Sequence, residues 1–95
     1  MSTPERYKTN PMVSCGEEDD GAVLFNPDTD DTALVNLTGR TLWAFLEDTP
    51  RSLDEMAAHL VETYKGVSAG QATEDSAQFV QALMPDYVTE IDDDG

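Results

Sequence analysis

AVLFNPDTDDTALVNLTG, residues 22–39, is the stretch that decides the fold. Two short apolar runs flank an acidic turn, in which Pro27 after Asn26 presets the backbone for a tight reversal. The second run ends in the pattern of a helix start at Thr38. We therefore expect a β-hairpin that leads into a helix. Because so small a hairpin is marginal in water, another element must cover it.

The sequence predicts three strands, at Pro11–Cys15, Ala22–Phe25 and Thr32–Leu37, with a glycine-bounded acidic turn at residues 16–21 between the first two. Side chains alternate between the faces of a strand. In the third strand this alternation places three residues on the core face, Ala33, Val35 and Leu37, and three on the other face, Thr32, Leu34 and Asn36.

Beyond Gly39 the apolar residues recur at helical spacing, which predicts three helices. Thr38 is the candidate N-cap of the first helix. The segment Ser52–Glu55 is a capping box that begins the second, and Gly66 ends it. The third helix starts near Ser68 or Thr73 and runs to about Met84, after which Tyr87 and Val88 are expected to fold back onto the core.

Connections this short exclude parallel crossovers, so the sheet is expected to be antiparallel and to pack one face on the helices. We predict an α+β, winged-helix-like domain, with a three-stranded antiparallel sheet followed by three helices. The domain is expected to cover residues 11–91, between a disordered N-terminal tail (residues 1–10) and an acidic tail (residues 92–95). One thin core is the most that 95 residues allow.

The charge balance restricts the possible partners. Twenty acidic residues against five basic ones give a net charge of −15, which repels nucleic acid and anionic membranes and favours a basic peptide or protein. The acidity also fits two other interpretations, solubility alone or adaptation to high salt. The predicted third helix, residues 68–84, contains no lysine or arginine, which disfavours DNA binding in spite of the fold.

Few residues suggest catalysis. His59 is the single histidine and is predicted to be a solvated surface residue, while Cys15 is the single cysteine and has no neighbour that favours a thiolate. The acidic pairs lie in turns, and NPDTDDTALVNL lacks the central glycine and closing glutamate of an EF-hand. We expect no metal, no cofactor and no enzyme activity. A free thiol, with no signal peptide and no membrane span, favours the cytoplasm.

The remaining feature is the edge of the sheet. An unpaired outer strand at Thr32–Asn36 can receive an extended peptide as an added strand. About four backbone hydrogen bonds at ~0.5–1.5 kcal/mol each contribute ~2–6 kcal/mol, whereas micromolar binding needs ~8 kcal/mol. Apolar anchors in a groove lined by Leu34, Phe79 and Ala82 would supply the difference. The other possibility is that the N-terminal segment covers this edge, and periodicity alone does not decide between the two.

The chain resembles the PqqD-like proteins over about Met12 to Val88. The resemblance rests on an ordered set of segments: Val35-Asn36-Leu37-Thr38-Gly39, Trp43 four residues beyond that glycine, Leu60 to Val67, and Phe79-Val80. The order VNLTG and the ending Pro85 to Val88 differ from the usual family pattern. The resemblance implies the same fold of three strands and three helices.

It also implies a function, the recognition of precursor peptides in pathways that make ribosomally synthesised, post-translationally modified peptides. Such domains bind the leader of the precursor between the third strand and the third helix, and present it to a radical S-adenosylmethionine enzyme or a leader peptidase. Whether the pathway is that of PQQ stays open. Carried over by position, the peptide-binding residues are Thr32, Ala33, Leu34, Val35, Asn36, Asp75, Gln78, Phe79 and Ala82. The alternative is a structural or regulatory docking module without a leader peptide; in either case we expect a monomer or weak dimer.

Overall fold

The computed structural model describes residues 5–91. Its elements are β1 (Arg6–Thr9), β2 (Ser14–Glu18), β3 (Gly21–Asn26), β4 (Asp31–Asn36), α1 (Leu37–Asp48), β5 (Arg51–Ser52), α2 (Leu53–Thr63), α3 (Ala69–Leu83) and β6 (Val88–Ile91). This is an α+β fold with antiparallel sheets, which confirms the predicted class. The predicted acidic tail, residues 92–95, lies outside the described residues.

Strands β2, β3 and β4 form the predicted hairpin sheet, in that order. The predicted position of the first strand, Pro11–Cys15, is wrong: β2 begins at Ser14 and continues through Glu18, which pairs with Gly21. Residues that were predicted to form a turn therefore extend the strand, and Asp19 and Asp20 alone make the reversal. A two-residue turn suits a hairpin, and the charged side chains of β2 remain exposed at its outer edge.

A second antiparallel sheet, with the order β5-β1-β6, was not predicted. It corrects the prediction of a disordered tail at residues 1–10 for the part that the structure describes, because Arg6 to Thr9 pair with Ile91 to Val88 at the other end of the chain. Residues 1–4 of that predicted tail lie outside the described residues. The side chain of Tyr7 is buried in the core, and the backbone N–H of Asn10 donates to the Tyr87 carbonyl at 2.9 Å. Backbone pairing thus orders a segment that has almost no apolar residues.

The helix caps lie close to the predicted positions, with one correction. The N-cap of α1 is Asn36, not Thr38, so the preceding strand ends at Asn36 and Leu37 becomes the first helical residue. The capping box of Ser52 and Glu55 is present at the start of α2. Ser68 is the N-cap of α3 and accepts from the backbone N–H of Gln71 at 3.1 Å.

The core lies between the helices and the inner faces of the two sheets. Trp43 of α1 is 1 % exposed, and Leu24 contributes the centre of the hairpin sheet. The predicted return of Tyr87 and Val88 to the core is confirmed, since both are buried. None of the helices in the described part of the chain is long and apolar enough to cross a membrane.

Candidate functional site

Strand β4 is an unprotected edge. Its inner neighbour is β3, and within residues 5–91 no strand pairs with its other side. The opposite edge, β2, carries Glu17 and Glu18, which is a common protection against further pairing, whereas Thr32–Asn36 contains neither a charge nor a proline. The described part of the N-terminal segment does not cover β4, because β1 pairs with β5 and β6 instead.

An open cleft of about 250 Å³ lies between this edge and α3. A buried cavity of ~150 Å³ is enough to hold benzene, so the cleft has room for an aromatic side chain. Strand β4 contributes one wall, α3 the other, and the first turns of α1 the floor. The lining residues are Leu34, Val35, Asn36, Thr38, Gly39, Leu42, Asp75, Gln78, Phe79, Ala82 and Leu83.

Gly39 allows α1 to approach the two walls. A Cβ atom at this position would lie 2.8 Å from the Val35 Cβ and 3.5 Å from the Phe79 Cδ1. The first of these distances is too short for a carbon–carbon contact, so any larger residue would push β4 away from the helix. The floor is completed by the fully buried side chain of Leu42.

Asn36 lines the cleft, but its side chain has a structural role. Its Oδ1 accepts a hydrogen bond from the backbone N–H of Gly39 at 2.9 Å, which caps α1. The carboxamide therefore fixes the point at which the edge strand turns into the helix under the cleft. The sequence predicts Asn36 as a peptide-binding residue, and the structure shows that its side chain caps α1.

We expect the change Asn36→Ala to lower the free energy of unfolding by about 1 kcal/mol, because it removes the side chain that satisfies a free N–H of the helix. Urea unfolding followed by far-UV circular dichroism measures this loss. Asn36→Asp is the matched control, since it keeps an acceptor at the same position and should be close to the native chain. Equal losses in the two variants would show that the hydrogen bond to Gly39 is not the stabilising contact.

The cleft is negatively charged. Asp75 is the one charged residue among its described lining residues, and its carboxylate accepts from the Gln71 Nε2 at 2.8 Å. Glu74 lies one residue away on the same helix, where its carboxylate accepts from the Gln78 Nε2 at 3.4 Å. None of the chain's five basic residues lines the cleft, so a cationic group entering it would meet only negative charge.

The structure brings together most of the residues selected from the sequence. Around the cleft lie Leu34, Val35, Asn36, Asp75, Gln78, Phe79 and Ala82. Thr32 and Ala33 do not line it, although they belong to the same edge strand; Thr32 is exposed, and Ala33 packs against the core. Sequence reasoning missed Thr38, Gly39, Leu42 and Leu83. Thr38 and Gly39 belong to a segment on which the family resemblance rests. This pair was the feature of the sequence that could have indicated the floor of the cleft.

Cys15 and His59 form no catalytic arrangement. Burial and the nearby Glu47 and Glu17 raise the pKa of the Cys15 thiol, which disfavours a reactive thiolate. His59 is half-buried and not a fully solvated residue as predicted, because its ring stacks on Phe45 with 4.0 Å between centroids. Arg51 lies 4.1 Å from the centroid of the same phenyl ring. Within residues 5–91 no cluster of three or more His, Cys, Asp or Glu side chains has the arrangement of a metal site.

Comparison with known proteins gives one family match and two similar structures. The family described as "PqqD: Coenzyme PQQ synthesis protein D (PqqD)" matches residues 21–85. A structure described as "TbiB1 in Complex with the TbiA(beta) Leader Peptide" is 24% identical, has a TM-score of 0.69, and the alignment covers 80% of this chain and 86% of that one. A structure described as "Lasso peptide synthetase B1 complexed with the leader peptide" is also 24% identical and has a TM-score of 0.70; the alignment covers 86% of this chain and 95% of that one. No curated protein sequence matches. At this identity the two structures establish a shared fold.

Proposed function

The chain belongs to the PqqD family, and from this premise we propose that it binds the leader of a ribosomally made precursor peptide as an added strand beside β4. Its role would be that of an adaptor, which holds the leader while another protein modifies or cleaves the peptide. Membership of the family also confirms the prediction that the chain is not an enzyme.

The observation that carries the proposal is an open strand edge directly beside an apolar cleft. The edge strand β4 offers unpaired backbone groups, and the cleft next to it holds about 250 Å³ between β4 and α3. In strand addition the backbone bonds supply affinity and side-chain pockets supply selectivity, so both parts of that mode are present here. The two similar structures, each described as a complex with a leader peptide, support a leader peptide as the ligand.

The energies are consistent with micromolar binding. About four backbone hydrogen bonds contribute ~2–6 kcal/mol, and micromolar affinity requires ~8 kcal/mol. Burying one large apolar side chain adds ~1.5–3 kcal/mol, so one or two anchors in the cleft make up the difference. Phe79 and Leu83 provide the apolar surface of the α3 wall.

We also propose that the partner protein is a modifying enzyme, either a radical S-adenosylmethionine protein or a leader peptidase. An adaptor without chemistry of its own needs such a partner. The peptide would occupy the β4 and α3 side, whereas the half-buried stack of Phe45 on α1, His59 on α2 and Arg51 on β5 does not line that cleft.

An NMR titration tests the proposal. The ¹⁵N-labelled chain is titrated with the synthetic leader of the precursor peptide encoded beside its gene. We expect chemical-shift changes confined to β4, α3 and the first turns of α1 at the floor of the cleft, with α2 as the internal control. Changes clustered on α2, or none at saturating peptide, would contradict strand addition and favour a docking module that binds no leader.

The salt dependence of the binding kinetics separates the electrostatic contribution to peptide binding from the apolar contribution. The negative cleft and the net charge of −15 should accelerate the approach of a basic leader. Raising the salt concentration from about 0.1 M to about 1 M shortens the Debye length from ~10 Å to ~3 Å, so we expect the association rate constant to fall by about tenfold. The dissociation rate constant should change little, because apolar contacts hold the complex. Stopped-flow fluorescence measures both constants, and a matching rise in dissociation would contradict apolar anchoring.

A further inference from the structure

We propose that the site reads its peptide on both faces of the extended sheet: one peptide side chain enters the cleft, and the adjoining one packs on Leu34 on the outer face. This inference rests on the proposed function, because it requires a strand beside β4. It names the substrate class more closely, as a peptide with two adjoining large apolar residues in its bound segment.

Leu34, which borders the cleft but is largely exposed, is the observation that leads to this inference. Its side chain is 81 % exposed, more than that of any other large apolar residue in residues 5–91. Its direct partner across the sheet is Val23, which is half-buried on the same outer face, and the neighbouring Phe25 is 37 % exposed. We call these three residues the outer strip. Proteins usually place charged side chains on the unpaired edge strand of a sheet, as on β2. The exposed apolar side chains of the outer strip depart from this pattern at the β4 edge.

Strand geometry decides what would cover the outer strip. In an antiparallel pair, directly opposite residues lie on the same face, with Cβ atoms ~4.5–5.5 Å apart. A residue of an added strand opposite Leu34 therefore points to the outer face and contacts Leu34. Its neighbours in the peptide point the other way, towards Val35 and the cleft. An added strand necessarily places alternate side chains on these two surfaces.

The two surfaces favour the same chemistry. The cleft lining is mostly apolar; its polar side chains are Asp75, two amides and one hydroxyl. The outer strip consists of an aromatic and two aliphatic side chains. A polar residue opposite Leu34 would leave that side chain exposed, whereas a large apolar residue would cover it. Two adjoining apolar residues thus give more affinity than one. They also favour one register of the peptide, since a shift by one residue would leave one of the two surfaces opposite a flanking residue.

Leu34→Ser is the variant that tests this inference, and Val61→Ser is its matched control. Both replace an exposed aliphatic side chain, but Val61 lies on α2, 42 % exposed and away from the cleft lining. Because neither side chain belongs to the core, both variants should keep the native unfolding midpoint. A displayed library of random linear peptides is selected on the native chain, and the binders that shift β4 and α3 resonances are kept for titration.

We expect these binders to share two adjoining large apolar positions. Leu34→Ser should weaken them by about tenfold, equivalent to ~1.4 kcal/mol, and Val61→Ser should not. An alanine scan of one binder should find a single apolar position whose effect disappears in the Leu34→Ser background, next to one whose effect is retained.

Binders that shift β4 and α3 but have equal affinity for Leu34→Ser and the native chain would overturn this inference and leave the proposed function standing. Selected binders with a single apolar position would overturn it as well. If no selected peptide, and no leader, shifts β4, both proposals fail together.

Discussion

Replacing Gly21 by alanine is expected to lower the free energy of unfolding by about 3 kcal/mol and to abolish peptide binding at the β4 edge. Gly21 pairs with Asn36 at the end of β4. A Cβ atom on Gly21 would overlap the Val35 carbonyl oxygen and lie 3.0 Å from the Val35 carbonyl carbon. These are backbone atoms and cannot rotate away, so β4 must separate from β3; overpacking of this kind costs ~1–3 kcal/mol or more.

The second consequence concerns the cleft, because Val35 and Asn36 belong to its wall. A displaced β4 would change the width of the cleft and remove the edge to which a peptide adds. Urea unfolding followed by the fluorescence of the buried Trp43 measures the stability, and titration with a binding peptide measures the affinity.

Gly16→Ala is the matched control, since Gly16 lies in β2 of the same sheet. The nearest atom to a Cβ there is the Val23 carbonyl oxygen at 3.9 Å, an ordinary contact distance. Its free energy of unfolding should stay within ~0.5 kcal/mol of the native value. If both glycine variants lost the same stability, the close approach of β3 to Val35 would not be the reason for a glycine at position 21.

The sequence was sufficient for the features that depend on local interactions. The turn after Asn26 follows from Pro27 and from an asparagine whose Oδ1 accepts the backbone N–H of Asp28 at 2.8 Å. The start of α2 follows from the capping box of Ser52 and Glu55, which joins residues only three apart. Such contacts join residues that are close together in the chain, so a local sequence pattern predicts them.

The second sheet left no such pattern. Its two outer pairings join Arg6 to Ser52 and to Ile91, residues far apart in the sequence. Strand β1 has one buried apolar side chain, Tyr7, so it shows no period of two. Its order comes from backbone hydrogen bonds, which any sequence without proline can make.

The two walls of the cleft were predictable from the sequence, but its floor was not. The edge strand and the groove residues Phe79 and Ala82 were selected from the sheet-edge argument, and Asp75 and Gln78 were added through the resemblance. The structure brings seven of the nine selected residues around one cleft. The floor was missed because its formation depends on how closely α1 approaches, which is a matter of packing. The position of the N-cap explains why: with Asn36 as cap, Leu37 joins the helix, and Gly39 comes to lie against Val35.

Replacing Ala82 by tryptophan should weaken peptide binding by about a hundredfold and leave the stability unchanged. Ala82 is exposed on the α3 wall of the cleft, so a larger side chain there can enter the cleft without disturbing the core. An indole would occupy the space that an apolar anchor needs. Losing one anchor removes ~1.5–3 kcal/mol of binding energy, which corresponds to a factor of ~10–200 in affinity.

Ala58→Trp is the matched control for this variant, because Ala58 is exposed on α2 and does not line the cleft. Isothermal titration with the leader, or with a selected peptide that shifts β4, measures both affinities, and thermal unfolding verifies the fold. Weakened binding in Ala82→Trp alone would assign the anchor to the cleft. Equal affinity in both variants would mean that the peptide is held by the strand edge without the cleft. Binding would then depend on backbone pairing and Leu34, and selectivity on the outer strip instead of on α3.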